Sequence, residues 1–195
     1  MLKNIIFDIG NVILKFNKDF LLSSFYEGDE YDLLKNETFR DWEMLDDDRI
    51  SQADYKAKVS ANLPKHLSPY ALSVLNNWEY FMRYTPGIHQ LIYDLKNNGF
   101  KLYVLSNMTY HFIEREYKFP IFKEFDGIVY SAPIKLLKPD PKIYEYILNK
   151  FNLTAEECLF IDDIKTNLTA AARFGINTFH FEGDTNALRN FILTF

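Results

Sequence analysis

Apolar and polar positions fall into two regimes along the chain. At the start, Asn4-Ile5-Ile6-Phe7-Asp8 is a short apolar run ending in an acid, as in a strand buried on both faces. Residues 18–80 then read as helical pieces with no convincing strand. Ser51 and Asp54 form a capping box at one helix start, and Ser68-Pro69 reads as an N-cap followed by proline at the first helical position. The second regime opens at Thr85-Pro86-Gly87. Ile88, Leu91, Ile92 and Leu95 recur at helical spacing and Gly99 stops them, predicting a helix over 85–99. Strands and helices alternate from there. Strands are expected at 102–106, 127–131, 159–163 and 178–181. Helices are expected near 109–117, from Asp140-Pro141 to Phe151, from Lys165 to Phe174, and after Asp184 with Leu188, Phe191 and Ile192.

Alternation of this kind implies right-handed βαβ units, hence a mostly parallel sheet with helices on both faces. The expected class is therefore α/β, with the long helical stretch inserted after the first strand as a cap. The division predicted is a core of 1–15 plus 85–195 and a helical cap of 16–84. Ligands of such sheets bind at the carboxyl ends of the strands.

Composition narrows the class. With 48% hydrophobic and 25% charged residues over 195 positions, the chain is globular rather than disordered. A single cysteine, Cys158, allows neither an internal disulfide nor a thiolate metal site. No apolar run approaches the ~18 residues of a membrane span, and Asp8 comes too early for a secretory segment. A cytoplasmic setting without a membrane partner is the expectation. Residues 16–84 carry 8 Lys/Arg against 13 Asp/Glu, while the remainder balances at 14 of each. The excess charge is acidic and confined to the cap, which argues against a nucleic-acid partner.

The strand ends hold the candidate chemistry. Asp8, Ser106-Asn107 and Asp162-Asp163 lie just past three strands, and Lys138 lies in a loop before a helix. A parallel sheet would bring these groups to one edge. Three carboxylates together demand a positive partner. Oxygen ligands, few in number, suit Mg²⁺, and a lysine and a hydroxyl suit phosphate oxygens. The chemistry indicated is phosphoryl transfer with an aspartate as covalent nucleophile. Singly, each group has an ordinary use: a loop cap for Asp8, a turn at Ser106-Asn107, an exposed turn at Lys138-Pro139, an N-cap at Asp163. Four such features in order at the ends of one sheet are harder to explain that way.

The motifs Phe7-Asp8-Ile9-Gly10-Asn11-Val12, Leu105-Ser106-Asn107, Lys138-Pro139-Asp140-Pro141 and Phe160-Ile161-Asp162-Asp163-Ile164-Lys165-Thr166-Asn167 span nearly the whole chain. In them the chain resembles hydrolases of the haloacid dehalogenase superfamily with a helical cap. Within that superfamily it looks most like the branch of glucose-1-phosphatases and the phosphatase domain of soluble epoxide hydrolase. The resemblance implies a Rossmann-like core and a Mg²⁺-dependent phosphatase of a small phosphorylated metabolite, a sugar 1-phosphate among the candidates, working as monomer or homodimer. It implies Asp8 as nucleophile and metal ligand, the Gly10 carbonyl and Asp163 as further ligands, and Asp162 beside them. Ser106 and the Asn107 amide would hold phosphoryl oxygens, and Lys138 would balance charge. Asn167 would support the acidic loop. Asn11, His111 and Trp42 join Asn107 as candidate substrate contacts. A non-catalytic phosphometabolite- or protein-binding relative, or a haloacid dehalogenase, are the competing readings.

Gly10 departs from the pattern. Most phosphatases that the chain resembles carry a second aspartate there, which protonates the leaving group and then activates water. General acid–base help of that kind is worth roughly 10²–10⁴-fold. Either another group substitutes, a residue or a solvent shuttle, or the leaving group needs less help, or turnover is slow. His111 is the candidate, against plain packing between Tyr110 and Phe112. In the cap, Phe16, Trp42, Met44, Trp78 and Tyr80 could line the pocket, although such spacing more often marks a core. Asp46-Asp47-Asp48 reads as a solvated turn.

Overall fold

The structure, a computed structural model, describes residues 1–195. Five parallel strands form the central sheet: β1 (Asn4–Phe7), β4 (Lys101–Ser106), β5 (Gly127–Tyr130), β6 (Cys158–Asp162) and β7 (Asn177–His180), in the order β5-β4-β1-β6-β7. β1 is central because every one of its residues is apolar enough to be covered on both sides, Asn4 excepted at its entrance. Its register places Phe7 beside Val104 of β4 and Ile161 of β6, so Asp8, Ser106 and Asp162 leave the same edge.

Side chains alternate between the two faces of the sheet. Ile5 and Phe7 pack with α6 (Ile88–Asn97) and α11 (Thr185–Ile192). Ile6 packs with α9 (Pro141–Phe151) and α10 (Lys165–Ala172). α6 buries Ile88, Leu91, Ile92 and Leu95, the four positions its periodicity singles out. Gly87 and Gly99 bracket it with φ of 78° and 85°, left-handed values that a glycine adopts without strain.

Between β1 and α6 the chain runs through α1 (Lys18–Ser23), α2 (Tyr31–Phe39), α3 (Glu43–Asp46), α4 (Gln52–Asn62) and α5 (Ser68–Asn77). Ser51 caps α4 by accepting from the Asp54 amide, as its sequence indicates. α5 begins one residue earlier than expected. Leu67 is its cap, and the Ser68 hydroxyl donates to the Ser60 carbonyl instead. The apolar sides of these helices merge with the α6–α11 face of the sheet into one cluster, so cap helices and sheet share a core. No helix is long and apolar enough to cross a membrane.

Three local elements differ from expectation. β2 (Leu14–Lys15) and β3 (Arg83–Tyr84) form a two-residue antiparallel ribbon where the chain leaves for the helices and returns. Two residues per strand are too few to show a period. Ser131 begins a one-turn helix, α8 (Ser131–Ile134), instead of extending β5. The helix expected near 109–117 is α7 (Tyr110–Ile113), capped by Thr109 and followed by a 3₁₀ turn at Glu116–Lys118.

The tightening after α7 lets Arg115 and Lys118 reach one buried acid. Glu79, in the 3₁₀ turn Trp78–Phe81, accepts from His111 Nε2 at 2.8 Å and Lys118 Nζ at 3.0 Å, and faces Arg115 Nε at 3.3 Å. This knot ties the return of the cap to the sheet layer. Burial pushes the Glu79 carboxyl up, but the bonds from His111 and Lys118 outweigh it and hold it down at about 2. A depressed carboxyl stabilises the fold above its ordinary value of 4.5, and that contribution is lost as pH falls towards 2. Glu79→Ala should therefore cost about 1–3 kcal/mol in urea unfolding at neutral pH, because it leaves His111 and the partly buried Arg115 and Lys118 without their shared acceptor. The wild-type loss of stability between pH 4.5 and 2 should shrink in the variant; an unchanged slope would remove Glu79 from that role.

Candidate active site

Asp8 stands at the end of the central strand, with Ser106 on one side from β4 and Asp162 on the other from β6. Lys138 reaches in from the loop before α9. Its ammonium lies 2.8 Å from Asp8 Oδ1 and 2.7 Å from Asp162 Oδ2, with its side chain 1% exposed. Asn107 fixes the lysine's backbone: its side-chain oxygen accepts from the Lys138 amide at 2.8 Å, and its nitrogen donates to the Lys138 carbonyl at 3.0 Å. The Asn107 side chain is thereby engaged within the protein, which leaves its main chain as the part that faces a ligand.

Asp162 is fully buried and every acceptor on it is taken. Besides Lys138, it receives the Ile164 amide at 2.7 Å and Asn167 Nδ2 at 3.1 and 3.0 Å on its two oxygens. Its geometry is that of a holder for Lys138 and for the acidic loop. Asp163 is half-buried and faces the cavity. Asn11 Nδ2 donates to it at 3.0 Å, while Asn11 Oδ1 accepts from the Phe16 amide at 3.1 Å. Asn11 adopts φ of 54°, a left-handed turn that asparagine tolerates better than most residues. Its amide is thus spent on shaping the turn and aiming Asp163.

Carboxylate oxygens of Asp8, Asp162 and Asp163 lie within 4.8 Å of one another. One ammonium against three carboxylates leaves the cluster short of positive charge. Burial is the first cause raising Asp8, and Asp162 adds to it; Lys138 and Ser106 pull the other way without cancelling it, and the carboxyl rests at about 6. Burial likewise raises Asp163, opposed by Asn11. The two carboxylates hold the Lys138 ammonium against its own burial. An oxygen-only cluster with unmet negative charge fits a hard divalent cation such as Mg²⁺. Asp8, Gly10 and Asp163 line the cavity, so the two carboxylates and the glycine carbonyl are the candidates to hold it.

The cluster forms the floor of a cavity of about 250 Å³. Phe16, Trp42, Trp78 and Met82 wall it from the cap side, with Lys18 and Asp46 among them. Trp42 meets Phe16 at 6.1 Å and Trp78 at 5.4 Å between ring centroids, so this wall is also part of the cap's packing. Tyr80 lies elsewhere, 58% exposed, with the Lys118 ammonium over its ring. Met44 contributes nothing to the lining.

His111 needs correction as a candidate. It does not line the cavity. Its ring stacks behind Trp78 at 5.6 Å and its Nε2 is committed to Glu79. It is a packed, bonded histidine, with Trp78 between it and the floor. The acidic run 46–48 is not a solvated turn either. Asp46 faces the cavity, Asp47 pairs with Arg49 at 2.6 Å, and Asp48 pairs with Lys135 at 3.3 Å. Sequence reading missed Asp46 and Lys18 because neither sits at a strand end. The one available signal was the missing acid at Gly10, which asks for a replacement.

The fold agrees with what the chain is similar to. Residues 5–181 match the family of haloacid dehalogenase-like hydrolases. The chain belongs to that family. It is 26% identical to the sesquiterpene phosphatase astK of Aspergillus oryzae, over 91% of this chain and 89% of that protein. It is also 26% identical to mouse bifunctional epoxide hydrolase 2, over 88% of this chain. The chain spans 32% of that longer protein, and 10% of mouse acyl-CoA dehydrogenase family member 10, which it matches at 32% identity over 105 residues. A haloacid dehalogenase family enzyme from Bacteroides thetaiotaomicron, solved with magnesium and inorganic phosphate, shares the fold. Its TM-score is 0.78 at 18% identity, covering 96% of this chain and 99% of that one.

The charge deficit has a measurable consequence. A carboxyl raised by burial costs stability above its folded value, and the cost fades as pH falls from about 6 through 3.8. Asn copies the neutral acid. In EDTA at pH 8, Asp8→Asn should therefore be more stable than wild type, by something on the order of 1 kcal/mol or about 2–4 °C in Tm. At pH 4 the difference should vanish. Lower stability of the variant at pH 8 would show that Lys138 already satisfies the cluster.

Proposed function

We propose that the chain is a Mg²⁺-dependent phosphatase that hydrolyses a small phosphomonoester through an aspartyl phosphate on Asp8. The observation that carries this reading is the Asp8–Lys138–Asp162 array at the floor of the cavity. One Asp8 oxygen is tied to Lys138, which leaves the other free of the lysine to act as a nucleophile in the cavity that Asp8 lines. The names of relatives point the same way, since the Aspergillus protein is a phosphatase and a Thermotoga maritima relative, 28% identical over 96 residues, is a phosphorylated carbohydrates phosphatase.

The roles follow from position. Asp8 attacks phosphorus in line with the leaving oxygen. Lys138 keeps the nucleophile ionised and oriented, and balances charge on the transferred group. Ser106, buried at the end of β4, offers its hydroxyl to a phosphoryl oxygen, and the Asn107 main chain offers a second donor. Mg²⁺, when held by Asp8, the Gly10 carbonyl and Asp163, supplies the positive charge that lets two anions meet. Asp162 and Asn167 keep Lys138 and the acidic loop in place. The cavity, about 250 Å³, falls below the range usual for drug-sized ligands, which favours a small substrate. With no acid at Gly10, esters with good leaving groups, sugar 1-phosphates included, should rank above simple alkyl phosphates.

The test is phosphate release from 4-nitrophenyl phosphate and a panel of sugar phosphates, with Mg²⁺ and with EDTA. Turnover should require the metal and fall to background in Asp8→Asn. Asp163→Asn should raise the Mg²⁺ concentration needed for half-maximal rate by about tenfold or more, as loss of a ligand does. Metal-independent turnover, or activity that survives Asp8→Asn, would sink the proposal. Binding of sugar phosphates without turnover would favour the non-catalytic relative.

A further inference from the structure

The phosphatase chemistry proposed above needs a proton for the leaving oxygen, and Gly10 cannot give one. Steric crowding does not explain the glycine. A Cβ built there would meet nothing nearer than Asp8 Oδ2, at 3.9 Å, an ordinary contact. Gly10 is also absent from the left-handed region where glycine is favoured. The position admits the first carbon of a side chain, so crowding at Cβ is not what keeps an acid away, and a proton carrier must be sought among the other cavity groups.

His111 is committed to Glu79 behind Trp78. Of the ionisable side chains that line the cavity, Asp8, Asp163 and Lys138 are engaged in the floor. Lys18 and Asp46 remain. An ammonium facing an anionic phosphoryl group is suited to balancing its charge, whereas a carboxyl can give a proton and take one back. The Asp46 carboxylate takes no hydrogen bond from the protein and lies in no ion pair, so its oxygens are free for a substrate.

The backbone beneath that free side chain is fixed. Asp46 ends α3, and its carbonyl accepts from the Ser131 hydroxyl. That hydroxyl in turn accepts from the Met108 amide at 2.8 Å. Ser131 is fully buried at the end of β5. The relay therefore joins the last residue of α3 to the loop that follows Ser106. Two residues on, the Asp48–Lys135 pair fastens the same segment to α8. The cap is docked on the catalytic edge of the sheet at this residue, and the side chain that results points into the cavity.

We propose that Asp46 is the general acid and base of this enzyme, standing in for the aspartate missing at Gly10. As the Asp8 oxygen bonds to phosphorus and the P–O bond to the alcohol breaks, the Asp46 carboxylic acid gives its proton to the departing oxygen. The Asp46 carboxylate then takes a proton from water as that water attacks the aspartyl phosphate. The P–O bond to Asp8 breaks, inorganic phosphate leaves, and both acids return to their starting states. The electrostatics suit the task. Burial raises the Asp46 carboxyl first, Lys18 opposes it, and the carboxylates of Asp47, Asp8 and Glu43 add to the rise, bringing it to about 7. A group near the working pH can serve in both half-reactions.

The inference rests on the phosphatase reading, and the test separates the two. The kcat of wild type, Asp46→Asn, Gly10→Asp/Asp46→Asn and Asp8→Asn is measured with saturating Mg²⁺ on 4-nitrophenyl phosphate and on n-propyl phosphate. The first leaving group departs without a proton and the second does not. Asp46→Asn should lose about 10²-fold or more on the propyl ester and less than about tenfold on the aryl ester. Adding Gly10→Asp should recover at least tenfold of the propyl loss. Because the replaced carboxylate makes no bond within the protein and is raised by burial, the Tm of Asp46→Asn should be no lower than that of wild type, so a kinetic loss is not a folding loss. Equal losses on the two esters, no loss on either, or no recovery with Gly10→Asp overturns the role of Asp46 while leaving a wild-type activity that depends on Asp8. Wild type inactive on both esters overturns the phosphatase reading, and this inference with it.

Discussion

The buried ammonium of Lys138, shared between Asp8 and Asp162, is the interaction on which the rest of the site depends. Three carboxylates cannot be gathered at one sheet edge without a cation among them. Lysine supplies a point charge on a flexible stem, which one residue can thread between two strand ends. The cost of burying it is met by two short ion pairs and by the Asn107 clasp on its backbone. Everything nearby serves that placement: β1 delivers Asp8, β6 delivers Asp162, and Asn167 fills the acceptors that Lys138 leaves on Asp162. The arrangement is still short of positive charge, and that deficit is what the proposed oxygen-ligand cation would fill in front of Asp8.

Much of this was legible in the sequence because the sheet obeys local rules. A strand covered on both faces must be an apolar run, and the run at 4–8 ends in the one acid it needs. α6 announces itself by period and by its closing glycine; α9 by Asp140-Pro141; α11 by Asp184. Once parallel order is inferred, the strand ends converge by topology alone, and Asp8, Ser106, Lys138, Asp162 and Asp163 do meet. What was not legible is whatever depends on a distant partner. The ribbon of β2 and β3 is set by where the cap leaves and returns, not by its own two residues. The division of labour between Asp162 and Asp163 depends on which of two adjacent acids faces inward, and their identities are the same. His111 looked available because its helix starts beside Ser106, yet Glu79, 32 positions earlier, claims it.

The cap is held to the sheet layer by different physics at different points. Its helices share an apolar core with the sheet, which resists separation without fixing direction. The Glu79 knot is directional: His111, Arg115 and Lys118 converge on one acid at the cap's return. At the other contact, Ser131 bonds to a backbone carbonyl, so the segment at 46–48 is positioned by its main chain and its side chains are left free to act. Asp47 and Asp48 spend theirs on Arg49 and Lys135. Only Asp46 keeps an unpaired carboxylate, and it is the one that faces the cavity.

This distribution gives the cap's acidic excess a more specific meaning than solvation. A second acid at Gly10 would sit on the same loop as the nucleophile and would be present whatever the cap did. An acid at the end of α3 is present only when the cap segment is seated on Ser131 and Lys135. Moving the proton carrier off the core therefore makes both proton transfers conditional on the docking that also shapes the aromatic wall of Phe16, Trp42 and Trp78. Substrate fit and proton transfer then depend on one contact. A core with the acid at position 10 separates them.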